Sequence, residues 1–101
     1  MNIDLLRRLC EMPGVPGREH RVRALIESEI EGLFDETYTD PMGSLICTRY
    51  PTKQREDGDA PRVLLLCHMD EIGFLVSHIS KDGYIHIDPV GGFDPRNLFS
   101  R

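Results

Sequence analysis

Apolar residues fall at Leu5, Leu6, Leu9 and Cys10, a helical spacing that predicts a first helix over residues 4–11, with Asp4 placed to help cap its start. The stretch MPGVPGREH then sets two Pro-Gly steps close together. Neither helix nor strand accommodates that density, so a turn or loop is expected. From Glu19 a second helical stripe runs through Val22, Leu25, Ile26, Ile30, Leu33 and Phe34, with Arg21, Arg23, Glu27, Glu29 and Glu31 on the remaining faces. Packing against the chain's own sheet is the commoner use of such a stripe, ahead of binding a partner.

The period changes after Phe34. ETYTD reads as a short strand, PMG as a turn and SLICTRY as a returning strand. PTKQREDGDAP is polar and bracketed by prolines, the composition of an exposed loop. RVLLLCH, residues 62–68, is a continuous apolar run of the kind found in strands buried on both faces of an α/β sheet. IGFLVSHIS and YIHIDPV flank KDG, which predicts a β-hairpin. GGFDP gives a further bend. The first part reads as the opening of an α/β layer domain, and the part from about Ile72 as the start of an all-β unit that the chain leaves incomplete.

Composition narrows the function classes. The chain has 101 residues, 40% of them hydrophobic, enough for one small globular domain with a modest core. The formal charge is -5 and no cationic block is present, which opposes nucleic acid as a partner. Neither a signal-peptide core nor a run of the roughly 20 apolar residues that span a bilayer occurs. A soluble, cytoplasmic protein is the expectation. Cys10, Cys47 and Cys67 are odd in number and far apart, and each sits in an apolar setting. They read as small buried hydrophobes in a reducing compartment rather than as a disulfide or zinc framework.

The candidate chemistry lies at the end of the apolar run. Residues two apart on a strand share a face, so His68 and Asp70 point the same way while Cys67 and Met69 point away. In an open α/β sheet ligands gather at the carboxyl ends of strands. There a neutral imidazole binds a divalent metal, and a nearby carboxylate fixes its tautomer and raises its basicity. From the triplet alone the blander alternative is favoured: His68 bonding a backbone carbonyl and Asp70 capping a turn. Ending a buried strand with this cluster shifts the balance, because burying such groups is costly. The direction of Glu71 depends on the turn. His20 reads as a solvated or capping residue. His78 and His86 lie on opposite arms of the hairpin, where a two-histidine metal site is the less expected alternative to an ordinary surface pair. No phosphate-binding glycine loop and no nucleophile elbow appears.

LLLCHMDEIGFLVSHISKDGYIHIDPVGGFDP closely resembles the H-x-D-E-I-G-F signature of the glutamyl and deblocking aminopeptidases, metal-dependent tetrahedral-assembly peptidases some of which carry an endoglucanase label. LLRRLCEMPGVPGREHRVR is similar to the family's opening helix, Gly-rich loop and second helix. DPMGSLIC is similar to its D-x-x-G-N-L-I strand pair, with Ser44 where Asn is usual, and GGFDP to its G-G-W/F-D step. The resemblance covers nearly the whole chain. It implies an α/β/α zinc-peptidase domain begun by residues 1–71 and interrupted by a β-rich assembly domain begun by residues 72–101. It implies that His68 is a ligand to one ion of a two-metal site, zinc or cobalt, and that Asp70 is the catalytic-site carboxylate supporting it. It further implies a peptide substrate, release of its N-terminal residue and a homo-oligomer. The family's bridging aspartate, glutamate pair, further carboxylate ligand and second histidine lie beyond the inserted domain, and none of those motifs is present. These 101 residues alone are therefore expected to be inactive. A non-catalytic remnant or assembly module of the same fold is the alternative. A carbohydrate-binding domain finds little support in a chain without tryptophan.

Overall fold

The computed structural model describes residues 2–53, 61–92, 94 and 96. Two helices come first, α1 (Ile3–Glu11) and α2 (His20–Glu29), followed by strands β1 (Glu36–Thr39), β2 (Leu45–Thr48), β3 (Gly73–Ile79) and β4 (Ile85–Val90). The strands form two separate antiparallel hairpins, β1 with β2 and β3 with β4. Among the described residues no helix is long and apolar enough to cross a membrane.

The start of α1 is capped by Asn2, whose side chain accepts the Leu5 N–H at 3.1 Å. Asp4 lies inside the first turn and pairs with Arg7 at 2.5 Å, so the expected Asp4 cap is corrected: Asn2 stands at the position from which a side chain reaches the free amides. Arg8 reaches Glu29 at 2.7 Å and ties α1 to the end of α2. The second helix ends before its apolar stripe does. Ile30 closes it by donating to the Ile26 carbonyl, and Gly32 turns the chain away at φ 73°. Leu33 and Phe34 consequently lie outside the helix and are exposed.

The β1–β2 turn is built by Asp40. Its Oδ1 accepts the N–H groups of Met42 and Ser44 at 2.9 and 2.8 Å, and Gly43 supplies a φ of 91°. Arg23 of α2 donates to the Gly43 carbonyl at 2.9 Å, which docks this hairpin on the helix.

Residues 62–68 do not form the buried strand expected of them. A strand is a ladder of backbone hydrogen bonds, and among the described residues no segment pairs with this one. Val63, Leu64, Leu65 and Leu66 are 80–84% exposed. The expected burial of the cysteines fails as well: Cys10 and Cys67 are exposed and Cys47 is half-buried, all three as free thiols. Val22 is the buried hydrophobic side chain of the described residues and lies against the buried backbone of Gly14; Gly73, also buried, lies against Val15. The radius of gyration is 19.2 Å, against about 13 Å for a compact chain of this length.

Candidate metal-ligand site

The site is assembled where three loops meet: the Pro-Gly loop between the helices, residues 66–72, and the bend after β4. Glycines make that meeting possible. A Cβ on Gly14 would stand 2.5 Å from Val22 Cγ2, and one on Gly73 would stand 2.0 Å from Val15 Cγ1. The Pro-Gly loop is thus pressed between α2 and the first residue of β3. Glu71 fastens it. The Glu71 N–H donates to the Gly14 carbonyl at 2.8 Å, and the Gly14 N–H donates to Glu71 Oε1 at 3.2 Å.

Next to this clamp, His68 Nδ1 lies 2.8 Å from Asp70 Oδ1. The two side chains share a side, as strand-like alternation requires. Asp70 is held below the ordinary carboxylate range, first by the hydrogen bond from His68; burial opposes the shift, and its own backbone amide and the charge of His68 add to it. An ionised carboxylate accepts only, so Nδ1 carries the proton. In the neutral ring Nε2 then presents its lone pair. Nε2 has no partner among the described residues, and the His68 side chain is 91% exposed. A metal-ligating histidine has this arrangement, with one nitrogen oriented by a carboxylate and the other open.

The pair stands between two clefts. One, of about 510 Å³, is bordered by Glu19, Met42, Ser44 and Leu66 as well as by His68 and Asp70. The other, of about 210 Å³, runs past Pro16, Ile72, Val90 and Gly91 on the hairpin side. Glu19 is engaged locally, its Oε1 accepting the Gly17 N–H at 2.7 Å.

His68 fits a divalent cation as a single ligand. Among the described residues no three His, Cys, Asp or Glu side chains gather closely enough to hold an ion. A catalytic zinc takes three protein ligands and keeps one position open. His20 stands exposed at the first turn of α2 and borders a separate cleft with Pro13, Val15 and Arg18. His78 and His86 do meet, across the β3–β4 hairpin, with ring centroids 5.4 Å apart. What the sequence did not disclose is the role of Glu71 as a clamp on Gly14. Its only signal was the crowding of Pro and Gly in a loop that had to be held by something.

Residues 43–101 match the family model described as M42 glutamyl aminopeptidase. The chain belongs to the M42 glutamyl aminopeptidase family. It is 36% identical over 99 residues to the lysyl aminopeptidase of Pyrococcus furiosus, covering 97% of this chain and 27% of that protein. A solved endoglucanase-named structure from Thermotoga maritima shares 47% identity and superposes with a TM-score of 0.71, over 90% of this chain and 28% of that one. PhTET1-12s, solved as a dodecamer, shares 34% identity with a TM-score of 0.72, over 100% of this chain and 28% of its own. This M42 chain therefore spans about a quarter of the length of the relatives it matches. Its mixed helix and strand architecture corresponds to one part of those M42 structures.

Proposed function

We propose that this chain is the amino-terminal portion of a metal-dependent aminopeptidase that removes N-terminal residues from peptides. His68 is a ligand to one of two divalent ions, zinc or cobalt, through Nε2, and Asp70 holds its ring. The observation that carries the reading is the 2.8 Å His68–Asp70 contact with Nε2 left open. The bound ions would polarise the peptide carbonyl and activate water. His68 and Asp70 would contribute orientation and basicity of one ligand. Glu71 has a different task, because its carboxylate is engaged by Gly14.

Residues 1–71 open the catalytic domain and residues 72–101 begin a β-rich assembly domain. Both hairpins and the leucine run leave apolar surface uncovered, among them Leu64, Leu66, Val76 and Ile79. Burying one valine contributes roughly 1.5–3 kcal/mol, small against the conformational entropy of ordering the chain. Further chain and further copies are the occupants such surface calls for. A homo-oligomer follows, as does inactivity of these residues alone. Three free thiols suit a reducing compartment such as the cytoplasm.

The test is peptide cleavage by the native product, the protein purified as its own cell makes it, after reloading with zinc or cobalt. His68→Ala should abolish metal-dependent cleavage. Cleavage at the unaltered rate would rule out the ligand assignment.

A further inference from the structure

His78 and His86 stand directly opposite each other in the β3–β4 ladder, with rings tilted by 45° and centroids 5.4 Å apart. An extra residue puts them there. The register runs from Val76↔Ile87 to His78↔His86 and leaves Ser77 as a bulge. In an unbroken ladder Ser77 would oppose His86, and His78 would share the other face with Ile85. With the bulge, Leu75, His78, His86 and Asp88 occupy one face, while Phe74, Val76, Ile79, Ile85 and Ile87 line the other. Ser77 Oγ donates to the His86 carbonyl at 3.2 Å, which ties the bulge to the residue it serves.

We propose that His78 and His86 form a divalent transition-metal site, each ring giving one nitrogen to an ion of the zinc, nickel or copper class. Two imidazoles on one tetrahedral zinc, with bonds of about 2.0–2.1 Å, place their ring centroids roughly 5 Å apart. The observed 5.4 Å lies within side-chain adjustment of that value. Both rings are exposed, so an ion reaches them without opening the fold. Neutral imidazole suits these ions, with copper(II) bound most tightly. Among the described residues no third metal-binding side chain completes a cluster, so water fills the remaining positions. The ion joins β3 to β4 beside the bulge, where the ladder is interrupted, and stabilises the hairpin by mass action. The site shares no residue with the His68–Asp70 pair.

The test is a titration of Zn2+ into chelator-treated native product carrying His68→Ala, followed through the imidazole NMR signals of His78 and His86. Both signals should move together and saturate with one ion. His78→Asn and His86→Asn, each added to that background, should weaken this binding by about tenfold or more, since even losing an outer partner of a ligand costs that much. Should either variant fail to fold, the parent titration still decides. Signals of His78 and His86 that stay unmoved at millimolar Zn2+, or a folded variant that binds as tightly as its parent, would overturn the site.

Discussion

Glu71 and Gly14, 57 positions apart, hold each other twice, through backbone and through side chain. The first bond fixes where the chain turns into β3, and the second fixes the Pro-Gly loop beside it. Glu71→Ala removes one of the two and should destabilise the native product by about 1 kcal/mol. Glu71→Gln keeps an acceptor oxygen and should be close to neutral. Urea unfolding midpoints compare the two, and equal midpoints would show that the side-chain bond contributes nothing.

Gly14 and Val22 meet too closely for a methyl group to be added. Gly14→Ala places its Cβ 2.5 Å from Val22 Cγ2 and should cost about 1–3 kcal/mol by overpacking. Val22→Ala removes the obstructing methyl, so the double variant should lose less than the sum of the two singles. A double-mutant cycle measures that coupling, and strict additivity would mean that the loop moves aside freely. Gly73→Ala, aimed at Val15 from 2.0 Å, should be the more damaging glycine replacement.

Local patterns in the sequence carried most of the elements. Helical spacing located α1 and α2, and the PMG and KDG turns located both hairpins, because periodicity and turn chemistry act over a few residues. The His68–Asp70 contact was legible for the same reason, being two positions apart. Residues 62–68 show where local reading stops. Their composition suits a buried strand, but pairing depends on a neighbour that a run of leucines does not specify. The bulge at Ser77 was hidden too. The alternation F-L-V-S-H-I breaks at that residue, and only the partner strand reveals which side absorbs the extra position. The Glu71–Gly14 bond joins segments too far apart for any local pattern to reveal.

The unpaired leucine run makes its own prediction. In a chain limited to these 101 residues, the amides of residues 62–66 should exchange with solvent at rates close to those of an unfolded peptide. In a product of the relatives' length they should become protected as the run gains neighbours. Hydrogen exchange read by mass spectrometry separates the two. Strong protection in the 101-residue chain would show that the run finds a partner within it.

Tyr50 and Glu36 give a pH test. The Tyr50 hydroxyl donates to Glu36 Oε1. That hydrogen bond raises the phenol above its ordinary 10.0, with burial and the charges of Glu36 and Asp35 adding to it. A raised phenol contributes stability that is fully present below pH 10 and is lost as pH rises through the folded-state value. Glu36→Gln should therefore lower the midpoint of Tyr50 ionisation, followed by tyrosinate absorbance in a protein whose other tyrosines are phenylalanine. An unchanged midpoint would place Glu36 away from the hydroxyl in solution.

Asp70 offers a graded test of the metal centre. Asp70→Asn keeps the shape but removes the charge that holds Nδ1 protonated, and should weaken metal binding by roughly 10–100-fold. The measurement that bears most directly on the central claim is the metal content of the native product, wild type against His68→Ala, after dialysis against limiting Zn2+ and removal of any ion at the hairpin histidines by His78→Asn. Loss of one ion per chain with His68→Ala is the expected result. The same metal content in both proteins would contradict the assignment of His68 as a ligand.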